Sequence, residues 1–337
     1  MKICLIQNSA TLSNIFSERS LAKLRTLGDV VINDGDASVE SVKKAIKGAD
    51  VAITSWGNTT LTKEILDECP DLKLVVHAAG TVKPIVSDEL WDRGIRVTGS
   101  PKPLGQGVAE TALGFAISAS KNFYNLNTSI HAGGWGPAGT GTNINDQIQE
   151  VTELYEITVG VVSSGWVGRH MIKLLQNFDV DVLLYDPFVT DEKCAQMGCK
   201  KVDFETLLKE SDIVTIHAPS IPATNHMFNA ETFKLMKKNA VLINTARGSI
   251  VDEKALYEHM KAGNLKYACI DVFDPEPPAL DNPLRTLPNV IMTPHLAGLK
   301  RNGQRRIGMH AAEEIERFLK GERMECEVTK DMLATMA

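Results

Sequence analysis

The chain has 337 residues, with 36 Lys and Arg against 42 Asp and Glu and a formal net charge of −6. That is chain enough for two domains, and no basic run marks a nucleic-acid stripe or an anionic membrane surface. Hydrophobic residues make up 43%, yet no run approaches the roughly 20 apolar residues of a spanning helix and the opening MKICLIQNSA lacks a secretory apolar stretch, so a cytoplasmic protein without a membrane partner is expected. Cys4, Cys69, Cys194, Cys199, Cys269 and Cys326 are scattered without zinc spacing. They read as plain thiols, with no metal and no disulfide framework.

In chain order, ICLIQ, VVIN, VAIT, LKLVVHA and IRVTG read as strands within residues 1–100, with helices around 15–27, 39–48 and 61–68. Such β–α alternation with crossover helices builds a parallel sheet. Residues 105–130, rich in Ala, predict one long helix. The Gly-rich run 132–142, with Trp135, is too broken for regular helix or strand. A second series follows: ITVGVV, VDVLLYD, DIVTIHA, NAVLINTA, LKYACIDVF and NVIMTPH. The last helix, about 301–319, carries Ala, Ile and Phe on one face and Arg, Glu and Lys on the other. The expected fold is α/β, with two doubly wound parallel-sheet domains. A flavodoxin-like domain spans 1–102 plus 299–337, and a Rossmann domain spans 103–298.

After ITVGVV the chain reads SSGWVGRH. In the dinucleotide fingerprint the first Gly makes a tight turn, the second lets backbone approach a pyrophosphate, and the third lets helix pack on strand. Gly165 and Gly168 occupy the second and third places, with Trp166 and Val167 between them, and Ser163 stands in the first. A Cβ there costs about 1–2 kcal/mol if the turn requires positive φ. Asp186 ends the next strand, 18 residues beyond Gly168. A carboxylate there accepts hydrogen bonds from ribose hydroxyls and repels a 2′-phosphate, which favours NAD over NADP.

Three further segments, INTARGSIVDE, CIDVFDPEP and MTPHLAG, supply Arg247, Glu276 and His295, each at or just after the end of an expected strand. Ligands in open α/β sheets bind at that edge. Arg forks onto a carboxylate, His moves a proton near neutral pH, and Glu holds that His charged. These are the parts needed to reduce a 2-oxo acid.

GVVSSGWVGRH, HAPSIPATNHMFNAETFKLMKKNAVLINTARGSIVDEKAL, DVFDPEP and TPHLAG together resemble the D-isomer-specific 2-hydroxyacid dehydrogenase family, most densely from 158 to 298. The resemblance implies that Arg247 binds the substrate carboxylate and polarises the carbonyl. It makes His295 the proton donor to the carbonyl oxygen and Glu276 the hydrogen-bond partner of its imidazolium. Pro219, Thr245 and Ala246 match a cofactor wall, and His217 either lines that pocket or packs. Asp271 matches a carboxylate near the nicotinamide carboxamide, a strand-end cap being the alternative. On the substrate side, Ala79 and Gly80 match a turn offering backbone N–H groups. Lys83 is either a contact to a second anionic group or a solvated lysine. Trp56 is either a substrate wall or a core residue. The family commonly pairs through the helix that 105–130 resembles, so a homodimer is expected, and the Gly-rich run departs from the usual family length. Two other readings keep the scaffold. A phosphite-type dehydrogenase is one (Glu276 speaks against the formate type), and an NADH-sensing regulatory protein is the other. The substrate is left open among small 2-oxo and 2-hydroxy acids.

Overall fold

The computed structural model describes residues 1–136, 141–298 and 301–336. The chain forms two compact units: 1–107 with 298–337, and 108–297.

In the first unit, β1 (Lys2–Leu5), β2 (Asp29–Ile32), β3 (Val51–Thr54), β4 (Leu74–His77) and β5 (Arg96–Thr98) lie in the order β5-β4-β3-β1-β2, all parallel. The strand Glu327–Val328 adds to β5 antiparallel. The order of the five parallel strands is the flavodoxin-like one. Every residue of β3 and β4 is buried, as a sheet covered on both faces demands. Side-chain alternation divides the core. Ile3, Leu5, Val51 and Ile53 pack with Leu24, Ile307, Ala311 and Ile315. Cys4, Ile6, Ala52 and Val75 pack with Val42, Ile46, Ile65 and Leu90 on the other face. The apolar stripe expected at 301–319 is the one that packs, on the helix Arg305–Leu319. Residues 301–304 form a separate 3-10 turn. The helix expected around 15–27 is Glu18–Leu27, capped by Ser17, whose side chain accepts from Ser20 N–H, and a further helix, Ser9–Ile15, precedes it.

In the second unit a two-residue pair, β6 (Gly134–Trp135) and β7 (Thr142–Asn143), flanks the Gly-rich run. Strand pairing therefore does occur where none was expected, and residues 137–140 of that run lie outside the described residues. The single helix expected over 105–130 is two, Pro101–Ser120 and Phe123–His131. Asn122 breaks it in the left-handed region, φ 54°, donating to Gln147 O and accepting from Tyr267 Oη. Asn tolerates this conformation where most residues do not.

The main sheet of this unit runs through β8 (Tyr155–Val162), β9 (Asp179–Tyr185), β10 (Lys200–Lys201), β11 (Ile213–Ile216), β12 (Ala240–Asn244), β13 (Leu265–Ile270) and β14 (Val290–Met292). Its order is β10-β9-β8-β11-β12-β13-β14, parallel throughout. That is the doubly wound Rossmann order with one added strand, and its switch point lies between β8 and β11. Pairing aligns Asn244 with Ile270 and Ile270 with Met292. The loops after β12, β13 and β14 therefore leave the same edge side by side. All six cysteines are free and buried.

Candidate active site

The turn after β8 requires the backbone that glycine gives most cheaply. Ser163 sits at φ 73°, its N–H donating to Tyr185 O at 2.8 Å. A Cβ built on Gly168 would lie 2.0 Å from Ser163 O, so only glycine lets the helix Trp166–Leu175 approach its strand. A Cβ on Gly165 would meet nothing within 4 Å, and this N-cap residue makes no side-chain capping bond. The helix thus starts without a side-chain cap and with open space beside Gly165, where an anion can approach a helix N-terminus. These features fit a dinucleotide's pyrophosphate. Trp166 is exposed and Val167 half-buried on that first turn. Because Ser163 carries the strained φ, Ser163→Gly is expected to raise stability by about 0.5–1 kcal/mol, the left-handed cost less the entropy glycine adds to the unfolded chain. A lower thermal midpoint for the variant would show the turn is unstrained.

Asp186, just past β9, is 7% exposed. Its Oδ2 accepts from Ser164 N–H and Ser164 Oγ, each at 2.8 Å, and its Oδ1 from Phe188 N–H at 2.9 Å. The carboxylate is held by the turn, with Oδ1 keeping acceptor capacity. A cleft of about 500 Å³ opens beside it, lined by Tyr185, Pro187, Lys201, Val202 and Thr206 among others. Along the wall, Pro219 is half-buried and Thr245 buried, the Thr245 Oγ1 having no partner among the described residues. Ala246 N–H donates to Asn244 Oδ1 at 3.1 Å. His217 is 8% exposed, and burial pushes it down to about 3, so the ring is neutral. Its Nε2 pairs with Thr215 Oγ1 at 3.0 Å, while its Nδ1 is buried without a partner.

Arg247, Glu276 and His295 come together at the edge formed by β12, β13 and β14. His295 Nδ1 lies 2.7 Å from Glu276 Oε2. Glu276 Oε1 accepts from Phe273 N–H at 3.0 Å, which fixes the carboxylate. Burial draws the Arg247 guanidinium below the usual arginine range, and the nearby Glu276 carboxylate partly offsets this. Arginine stays charged all the same. With Nδ1 given to Glu276, His295 Nε2 has no protein partner among the described residues, and the side chain is 51% exposed. The imidazole is thus oriented by one nitrogen and open at the other, as a proton donor requires.

His295 itself sits at φ 48°. Such strain costs on the order of 1–3 kcal/mol and persists only where the surroundings over-determine it. Asp271 does so. It is fully buried, its carboxylate accepts from Leu296 N–H at 2.9 Å, from Ala297 N–H at 2.8 Å and from Thr293 Oγ1, and its carbonyl accepts from His295 N–H at 2.9 Å. Of the two readings of Asp271, the geometry is that of the strand-end cap: the carboxylate faces the loop donors and not solvent.

Unit 1 alters the substrate-side expectations. Ala79 N–H is taken by His77 O at 2.8 Å, so Ala79 offers no free donor, whereas Gly80 N–H has no partner among the described residues. Lys83 does not stand ready for an anion, because its Nζ donates to Met336 O at 2.6 Å. Trp56 is 40% exposed, which removes the core reading.

Residues that sequence reasoning missed hold the trio's loops. Asn244 is buried; its Nδ2 donates to Arg247 O at 2.9 Å and its Oδ1 closes the turn through Ala246 N–H. Asn at a strand end before a turn is the signal that marks it. Glu253 accepts from Asp274 N–H at 2.9 Å and from Asn282 Nδ2 at 2.7 Å, bracing the segment that carries Glu276. A Cβ on Gly248 would lie 2.0 Å from the Phe273 carbonyl carbon, so the Arg247 loop touches the Glu276 loop backbone to backbone.

The family model for the NAD-binding domain of D-isomer specific 2-hydroxyacid dehydrogenases matches residues 113–297. The chain is 35% identical over 306 residues to D-3-phosphoglycerate dehydrogenase of Methanocaldococcus jannaschii, covering 90% of this chain and 56% of that one. It thus spans about half the length of that relative. It is 33% identical over 325 residues to glyoxylate reductase of Thermofilum pendens, covering 95% and 94% of the two chains. Among solved structures, D-2-hydroxyisocaproate dehydrogenase matches 98% of this chain and 100% of its own with a TM-score of 0.79 at 25% identity.

Proposed function

We propose that this chain, which belongs to the D-isomer-specific 2-hydroxyacid dehydrogenase family, is an NAD-dependent oxidoreductase interconverting a small D-2-hydroxy acid and its 2-oxo acid. The observation that carries this reading is the His295–Glu276 pair at 2.7 Å with Arg247 in electrostatic reach of the same carboxylate. Arg247 binds the substrate carboxylate in a forked contact and draws electron density from the carbonyl. His295 Nε2 gives its proton to the carbonyl oxygen, or takes it back in the oxidation, and Glu276 steadies the imidazolium through Nδ1. The bound nicotinamide supplies or accepts the hydride at C2. Unit 2 holds the cofactor through the Ser163–Gly168 turn, Asp186, Pro219, Thr245 and Ala246, and Asp186 disfavours a 2′-phosphate. In unit 1, the candidates for substrate contact are Gly80, whose N–H has no partner among the described residues, and the exposed Trp56.

A homodimer and a cytoplasmic location belong to the same reading. Pairing is supported by large apolar side chains left open along Phe123–His131 and just after it: Phe123 is 54% exposed, Ile130 43% and Trp135 60%. The reading is tested by following NADH oxidation over glyoxylate, hydroxypyruvate, pyruvate and 3-phosphohydroxypyruvate, with NADPH in parallel. Turnover of at least one acid is expected, faster with NADH. Tight NADH binding with no turnover of any acid would favour a sensing role instead.

A further inference from the structure

Unit 1 carries a cleft of about 670 Å³ between the start of the helix Glu18–Leu27, the start of the helix Pro101–Ser120 and the helix Arg305–Leu319. The proposed reaction uses none of its residues. On a chain of net charge −6, the cleft is locally basic: Arg19, Lys102, Arg305, Arg306 and Arg317 line it against Glu313 and Glu325. Those charges are not evenly neutralised. Glu325 takes up Lys102 at 2.7 Å and Arg317 at 3.5 Å. Arg19 and Arg305 are exposed and have no carboxylate partner among the described residues.

His310 also lines the cleft. It is 5% exposed and its Nε2 is buried with no hydrogen-bond partner among the described residues. An unmet buried polar group costs about 1–3 kcal/mol, so it calls for a ligand or a water. A cation does not answer it, although the donor atoms of His310, Glu314 and Glu325 lie within 4.8 Å of one another. Glu314 already accepts from Arg317 Nη1, Glu325 N–H, Thr98 Oγ1 and Cys326 N–H, which fills its lone-pair positions. Glu325 is held by its two cations. What is left over is positive charge and a donor-capable imidazole, the complement of an anion.

We propose that this cleft binds a small multiply charged anion, with Arg19 and Arg305 gripping its anionic oxygens and the His310 side chain forming part of the cleft wall. Guanidinium forks match phosphate and carboxylate oxygens alike, so the class is a phosphate ester or a polycarboxylate. A site so far along the chain from the Ser163–Gly168 turn gives the protein a second anion-responsive surface, separate in residues from the cofactor's.

The test is calorimetric titration of the full chain with pyrophosphate and, separately, with citrate. The dinucleotide turn is a second place for pyrophosphate, so the readout is the difference between the wild type and the Arg19→Ser/Arg305→Ser double variant. Both residues are exposed, so the variant is expected to keep the wild-type thermal midpoint. Loss of two charge-assisted contacts is expected to weaken binding by at least about tenfold. A selective loss for pyrophosphate assigns the phosphate-ester class, and one for citrate assigns the polycarboxylate class. A control that removes two unit 2 cations, Lys200→Ser/Lys209→Ser, is expected to bind as the wild type does. Equal affinity in wild type and double variant, or no binding of either anion, overturns the proposal.

Discussion

His295→Gln is expected to lower turnover by about 10²–10⁴-fold, the usual contribution of a positioned general acid–base, while NADH affinity stays within about twofold. The reason is the division of labour between the two ring nitrogens. Nδ1 is given to Glu276 at 2.7 Å, and Nε2 has no protein partner among the described residues. Glutamine can occupy the space and place a polar group near Glu276, but it has no proton to transfer near neutral pH. The loop should survive the change, because Asp271 holds Leu296 and Ala297 through their backbone N–H groups and not through the imidazole. Stopped-flow hydride transfer and fluorescence titration of NADH separate the two effects. Turnover equal to wild type would remove the proton-donor role. A parallel loss of NADH binding would instead mean that His295 supports the cofactor pocket.

Much of the edge that carries these residues was legible in the sequence. The strands VAIT, LKLVVHA, NAVLINTA and LKYACIDVF announce themselves as apolar runs between helical stretches, since strands buried on both faces admit few polar residues. Three loops leaving adjacent strands bring distant residues together, so Arg247, Glu276 and His295 could be grouped by where each sits relative to its strand. What stayed hidden depends on single side chains in unusual backbone. Asn122 ends a helix that the sequence on either side of it reads as continuing. Ser17 sets the start of another by capping. Lys83 looked available because its partner, Met336 O, is 253 residues away in sequence. Asp271 was read toward the cofactor because strand-end carboxylates serve both as caps and as ligand contacts, and only the positions of Leu296 N–H and Ala297 N–H decide between the two.

Gly248→Ala is expected to reduce turnover by about 10²-fold, the scale of loss that a misplacement of about 1 Å produces, and to cost about 1–3 kcal/mol of stability as overpacking. Gly248 follows Arg247 and its φ is not in the left-handed region, so alanine pays nothing in backbone conformation. The whole effect must come from contact. An added Cβ would sit 2.0 Å from the Phe273 carbonyl carbon, 2.1 Å from its oxygen and 2.6 Å from Asp274 N. These are backbone atoms, so no rotamer change relieves them, and one loop has to move. The Asp274 side is tied down through its N–H to Glu253 Oε1, and Phe273 N–H is bound to Glu276 Oε1. The Arg247 side is tied by Asn244 Nδ2 to Arg247 O. Whichever tether gives way, the guanidinium and the Glu276 carboxylate part from their present spacing. The fall should therefore appear chiefly in kcat/KM for the 2-oxo acid, with a smaller loss of NADH affinity, because Thr245 and Ala246 of the proposed cofactor wall share the Arg247 loop while the Ser163–Gly168 turn follows β8, with β11 between it and β12. An alanine variant with wild-type kcat/KM and an unchanged melting temperature would mean that the two loops are not held in register by this contact.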